Sequence, residues 1–173
     1  TGRNPCTVHH SRRYVHKVNR LVTCFATFFY TGFFPFAPAT FASLVFVLAY
    51  AFIPGGDWIA TYTIFLPTLA LSIPASSRME KTHGKDPHCV VIDEVVGMQI
   101  VLLGATPTPV GLAAAFVLFR IFDVWKPFPI DRLQSLPGGW GIVADDVVAG
   151  MYSKVALMLA GLATHAFGRF SLL

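Results

Sequence analysis

Five carboxylates set into or beside very hydrophobic segments constrain this chain more than any other feature. They are Asp93 and Glu94 in VVIDEVVGM, Asp123 in FRIFDVWKPFPI, and Asp145 and Asp146 in GGWGIVADDVVAG. A carboxylate in apolar surroundings is costly unless something compensates its charge. The neighbouring Arg and Lys residues are too few to neutralise all five one by one. The simplest compensation is a divalent cation with a phosphorylated substrate bound to it.

The rest of the chain is unusually apolar. Of its 173 residues, 54% are hydrophobic and only 13% are charged, against roughly 25% charged in ordinary soluble domains. The mean hydropathy is +0.61. These values point to a membrane-embedded or membrane-bound protein with one core. We read a basic N-terminal tail over residues 1–20 and a single helical domain over 21–173. The formal charge of +4 is modest, and no polybasic run or low-complexity tract suggests a nucleic-acid partner. Cys6, Cys24 and Cys89 are widely spaced without a CxxC pair, so neither a disulfide framework nor a zinc site is expected. Cys6 and Arg12 match the bare Cys-x5-Arg spacing of thiolate phosphatases. The match is rejected because no Gly-rich phosphate cradle or preceding strand accompanies it.

Hydrophobic periodicity and breakers predict an all-α, compact helical bundle with several helices partly or fully spanning a bilayer. Helices are expected over residues 15–30, 43–53, 58–73, 93–103, 110–125 and 144–167. The Pro-rich segment 31–40, a turn at Pro54–Asp57, a polar loop over 76–88, a turn at 106–109 and a loop ending at Gly141 separate them. The shorter helices suggest re-entrant segments or a bundle that only dips into the membrane. The two short turns carry no Lys or Arg, whereas the tail, the 76–88 segment and the stretch 120–132 hold eleven of the thirteen. The positive-inside rule places that side in the cytoplasm. The same arrangement brings the five acids to that side.

Each motif also has a structural explanation. Acid pairs at 93–94 and 145–146 complement helix N-termini. Asp123 is spaced to pair with Arg120 or Lys126. Lys126, beside Trp125, suits an interfacial lysine. Jointly, three acidic motifs converging on one side of an apolar chain favour a metal site. Mg2+ takes oxygen ligands and leaves room for a substrate phosphate. Arg120 can grip phosphate with two donors, and Lys126 acts as a point charge. Thr40 and Ser43 precede a helix, with Ser43 read as its N-cap and both as candidate phosphate contacts. Gly97 and Gly150, each one turn after an acid, would let helix backbones approach closely. His83 and His88 read as surface residues.

The three acidic motifs, in this order and spacing, resemble those of the phosphatidylglycerophosphatase A family over roughly residues 30–153. FRxxDxxKPxP and GxGIxxDDxxAG carry most of the resemblance, and Asp86 in KDPHCVVIDE also fits the pattern. The resemblance implies Mg2+-dependent hydrolysis of phosphatidylglycerol phosphate to phosphatidylglycerol and phosphate, at the cytoplasmic face of a bacterial inner membrane. Asp93, Glu94, Asp123, Asp145 and Asp146 would bind metal. Asp93, Glu94, Asp123 and Asp146 would be catalytic, with Arg120, Lys126, Thr40 and Ser43 on the substrate. The family usually has glycines in its Pro-rich motif where this chain has Ala39 and Ala42. If those positions need positive φ, alanine there weakens binding. The alternatives are a non-enzymatic divalent-cation protein, such as a channel or transport component, and a phosphatase for another lipid phosphate.

Overall fold

Helix α4, Ile92–Leu102, is buried at all eleven of its positions, and the other helices are arranged around it. The computed structural model describes residues 19–52 and 58–166. Most of the basic tail, with Cys6 and Arg12, lies outside them, as does the turn at Pro54–Asp57. The surrounding helices are α1 (Arg20–Ala26), α2 (Pro38–Tyr50), α3 (Trp58–His83), α5 (Pro109–Trp125), the one-turn α6 (Ile130–Leu133) and α7 (Gly139–Ala166). A short 3-10 turn, Thr31–Phe33, joins α1 to α2. No strand occurs among the described residues. Helix α7 packs against α3, α4, α5 and α6, most extensively against α4.

The core is apolar at the centre of the bundle. Met98, Val101 and Leu102 of α4 meet Val47 and Tyr50 of α2, Leu112, Ala115 and Phe119 of α5, and Ala149 and Leu157 of α7. Toward the start of α4, Val95 joins Ala26, Met79 and Ile142. Val96 and Ile100 face Val143, with Phe65, Leu69 and Ile73 of α3 packed alongside. The C-terminal end of α4 is tied down by polar groups. The Tyr50 hydroxyl lies 2.9 Å from the carbonyls of both Leu102 and Ala105. The Lys154 ammonium donates to the carbonyl of Leu103 and lies 3.4 Å from that of Val101. A lysine at a helix C-terminus satisfies orphan carbonyls and complements the dipole.

Several boundaries differ from those read in the sequence. Helix α3 runs ten residues past Ile73, so most of the expected 76–88 loop is helical. Its stop is Gly84, whose φ of +91° and N–H bond to the Glu80 carbonyl at 2.9 Å end the helix in the left-handed manner glycine favours. Helix α2 begins at Pro38, five residues before Ser43. Proline at the first position accounts for the earlier start. Ser43 is therefore not an N-cap. Its hydroxyl donates to the Ala39 carbonyl at 2.9 Å inside the helix. Helix α5 starts as read, with the Thr108 hydroxyl accepting from the Gly111 N–H at 3.1 Å. Helix α1 ends at Ala26, because Phe28, Phe29 and Tyr30 all have positive φ. Cys24 is a free thiol, but Cys89 is disulfide-bonded, contrary to the expectation from spacing.

Spanning helices are not supported. Among the described residues no helix is long and apolar enough to cross a membrane. Helices α2, α4 and α5 have 13, 11 and 17 residues, short of the roughly 20 that a crossing needs. The longer α3 carries Arg78, Glu80 and Lys81 in its last turns, and α7 carries Asp145, Asp146 and Lys154.

The α4–α7 contact depends on two glycines. A Cβ at Gly150 would sit 2.6 Å from the Gly97 carbonyl, and one at Gly97 would sit 2.9 Å from the Asp146 carbonyl and closer still to the Phe119 ring. Gly150→Ala must push one helix backbone off the other. Such overpacking costs about 1–3 kcal/mol, which outweighs the roughly 1 kcal/mol that alanine gains over glycine in a helix. The variant is expected to unfold at lower urea concentration than the wild type. An unchanged or raised midpoint would show that the contact is not tight.

Candidate active site

The acids reach the site from three helices. Asp93 and Glu94 lie in the first turn of α4, where negative charge suits the dipole. Asp145 and Asp146 do not share that explanation. Helix α7 starts at Gly139 rather than near Ala144, so the pair sits in its second turn, beyond the turn where the dipole acts strongly. The earlier start is set at Gly139, which abuts the Ile73 carbonyl and whose N–H donates to the Ser77 hydroxyl at 2.8 Å. Asp123 lies in the last turn of α5, and Lys126 is that helix's C-cap, in the left-handed region at φ +46°. A non-glycine residue held there costs roughly 1–2 kcal/mol.

Burial and charge pairing are both strong. Asp93 and Glu94 are each 8% exposed, Asp145 5% and Asp146 4%. Arg120 Nη1 lies 2.6 Å from Glu94 Oε2 and 2.9 Å from Asp123 Oδ2, bridging α4 to its own helix. Lys126 Nζ donates to Asp145 Oδ2 at 2.7 Å. Five carboxylates thus share two cations. The Asp93 Oδ1 atom is buried with no hydrogen-bond partner. Asp86, exposed and with a φ of +48°, lies close enough to add its charge to the field at Asp93.

Asp93, Glu94, Asp145 and Asp146 all bind protons more tightly than ordinary carboxyls. Burial, followed by the Glu94 and Asp145 charges, pushes Asp93 well above the usual carboxylate range. Burial, then Glu94, Asp93 and Asp123, does the same at Asp146. Glu94 is pushed up to about 7, by burial and by Asp123, against the opposing pull of Arg120. Asp145 is raised by burial despite its lysine. Lys126 is raised because its acidic neighbours outweigh its own burial.

One oxygen each of Glu94, Asp123 and Asp146 lies within 4.8 Å of the others. Two oxygens on opposite sides of a Mg2+ ion with bonds of about 2.1 Å are roughly 4 Å apart, so small side-chain adjustments suffice to share an ion. The donors are all hard oxygens, and the unpartnered Asp93 Oδ1 stands nearby. The residues therefore fit a hard divalent cation. Of the five expected ligands, Glu94, Asp123 and Asp146 form this trio. Asp145 is engaged by Lys126, and Asp93 stands beside the trio. Arg120 and Lys126 are both at the cluster, bound to acids.

Neither of the other two expected substrate contacts takes part in the hydrogen bonds that join the acids. Ser43 is fully buried and bonded within α2, and Thr40 is half-buried in the first turn of that helix. The positive φ near this segment falls on Ala37, while Ala39 and Ala42 are helical, so alanine is unstrained at both. His83 Nδ1 lies 3.2 Å from the Met79 carbonyl, on α3 rather than in the cluster. Lys154 was missed as a structural residue; its place among apolar residues of α7, one turn beyond Gly150, was the available signal.

The profile of the phosphatidylglycerophosphatase A family matches residues 24–161. The chain belongs to the phosphatidylglycerophosphatase A family. It is accordingly an enzyme, a phosphoric monoester hydrolase. A protein of Bacteroides thetaiotaomicron named "Putative phosphatidylinositol-3-phosphatase" is 38% identical over 143 residues, covering 78% of this chain and 89% of that one. The phosphatidylglycerophosphatase A of Escherichia coli K12 is 34% identical over 137 residues, covering 77% of this chain and 79% of its own. That of Haemophilus influenzae is 44% identical over 75 residues, covering 42% and 45%. No solved structure matches the chain.

The raised Glu94 carboxyl gives a signed expectation for this phosphatidylglycerophosphatase A relative. A carboxyl whose folded pKa lies above its ordinary 4.5 favours the fold fully below pH 4.5, and that contribution is lost as pH rises toward 7. In a chelator, the difference in melting temperature between wild type and Glu94→Gln should shift in favour of the variant between pH 4.5 and 7. Millimolar Mg2+ should shrink that shift. A difference independent of pH would mean that Glu94 is not held in an uncompensated site.

Proposed function

We propose that the protein removes the terminal phosphate of phosphatidylglycerol phosphate, with Mg2+ held by the acid cluster, at the cytoplasmic face of a bacterial inner membrane. The observation that carries this reading is the convergence of Glu94, Asp123 and Asp146 oxygens beside Arg120, in a chain of this family. Bound Mg2+ would offset charge on the phosphate oxygens and make a water more acidic. Glu94, Asp123 and Asp146 would hold it, with Asp93 and Asp145 completing the set.

The chain's own residues account for the remaining requirements. Phosphoryl transfer needs cationic groups to hold the phosphate and a group to take the proton of the attacking water. Arg120 and Lys126 bring the cationic charge. Asp93, whose buried Oδ1 has no hydrogen-bond partner, is the carboxylate beside the trio suited to accept that proton. In the net reaction water oxygen bonds to phosphorus, the bond from phosphorus to the glycerol oxygen breaks, and that oxygen leaves with a proton.

A membrane setting is supported by the surface. Leu48, Leu66, Val124, Trp125, Leu159 and Leu162 are each more than half exposed. Such a density of exposed large apolar groups suits contact with lipid better than with water. The name of the Bacteroides relative favours a second reading, in which the lipid head group is a phosphoinositide.

Asp146→Asn should lower phosphate release from phosphatidylglycerol phosphate by roughly 100-fold or more, the scale expected for losing a group that stabilises the transition state. Chelation should abolish wild-type turnover, and Mg2+ should restore it. Full activity in Asp146→Asn, or turnover in excess chelator, refutes the mechanism. Greater turnover of phosphatidylinositol 3-phosphate would favour the second head group.

A further inference from the structure

A groove of about 700 Å3 runs along the outer face of α5, lined by Phe116, Val117, Arg120, Ile121, Val124 and Trp125. Among the described residues five of these six are apolar, and the exception is the arginine that bridges Glu94 and Asp123. The groove and the acid cluster therefore share Arg120. From Phe116 to Trp125 it extends about 14 Å, at 1.5 Å per helical residue. Val117, Ile121, Val124 and Trp125 are each about half exposed or more, so the face is open to an apolar occupant.

We propose that this groove is an acyl-chain subsite, which takes the first part of one fatty chain of the lipid phosphate while Arg120 stays with its head group. The proposal rests on the reading of the protein as a lipid-phosphate monoesterase. Continuity with the site selects the occupant. A ligand that places a phosphate at Arg120 and carries a hydrocarbon tail matches both the cation and the apolar lining of the groove. Burial of the chain against Val117 and Ile121 contributes binding in proportion to the apolar area removed from water. Val124 and Trp125 flank the path nearest Asp123 and Lys126.

Two variants probe the groove on exposed positions, where folding is little affected. Val117→Trp fills it, and Ile121→Gln makes it polar. Each is assayed on a dihexanoyl lipid phosphate below its micelle concentration and on the same head group without acyl chains, in Mg2+. The expected result is a loss of about tenfold or more in kcat/KM on the acylated substrate, with the deacylated head group changed less than twofold. Equal losses on both substrates, or no loss on either, overturn the subsite. A loss seen only on vesicles, with the monomeric lipid unaffected, assigns the face to bilayer docking and overturns it too. A shift in sedimentation with no change in the acylated-to-deacylated ratio assigns it to a second copy. If wild type releases phosphate from neither substrate, the monoesterase reading fails. If it turns over both equally well, that reading stands and the groove alone fails.

Discussion

The close approach of α4 and α7 is the contact on which the site depends. Gly97 and Gly150 face each other where neither has room for a side chain. Asp93 stands one turn before Gly97, and Asp146 stands one turn before Gly150. The same offset on both helices puts the two acid pairs on one side of the crossing. Helix α5 then closes that side, with Phe119 against Gly97 and Arg120 reaching Glu94. Packing and chemistry are therefore not separable here. A wider crossing would move Asp146 away from Glu94, and the oxygens that now lie within 4.8 Å would no longer share one small space.

Much of this was legible in the sequence, for identifiable reasons. The all-helical class followed from the period of the apolar residues, and α4 and α5 were read to within a residue at either end because Pro and Thr punctuate them. The role of Gly97 and Gly150 was visible in their spacing from the acids. What was hidden lay where local composition misleads. Residues 76–83 are polar, and polarity read as loop; the left-handed Gly84 was the true stop. Gly138 and Gly139 read as part of a loop ending at Gly141, but α7 starts at Gly139, where only a residue without Cβ fits against the Ile73 carbonyl. That shift of five residues removes the dipole explanation for Asp145 and Asp146, and leaves their burial to be explained by the cluster itself.

The membrane reading separates into two parts. Apolar composition was taken as evidence of crossing, yet the apolar residues of α4 lie wholly inside the protein. Its hydrophobicity serves the core and says nothing of lipid. The informative residues are instead the exposed ones on α2, α3, α5 and α7. The distinction follows from counting which faces are covered, which sequence alone could not do because hydropathy is summed over all faces of a helix.

The charge balance of the site is the last constraint. Two cations cannot neutralise five carboxylates, four of them buried, and leaving such groups ionised without partners is expensive. The fold tolerates the excess by letting the acids hold protons, as the upward shifts at Asp93, Glu94 and Asp146 indicate. A purely structural network would be expected to match its charges, since unmatched ones only weaken the fold. Keeping three more acids than cations is useful when another positive charge is to be accommodated and the protons are to be given up on its arrival. The same balance explains the position of Arg120. Held between Glu94 and Asp123, it limits repulsion within the cluster, and among the described residues it is also the charged member of the apolar groove beside it. On the proposed reading, a head group that meets the acid cluster while its tail stays out of water needs a residue in that double position.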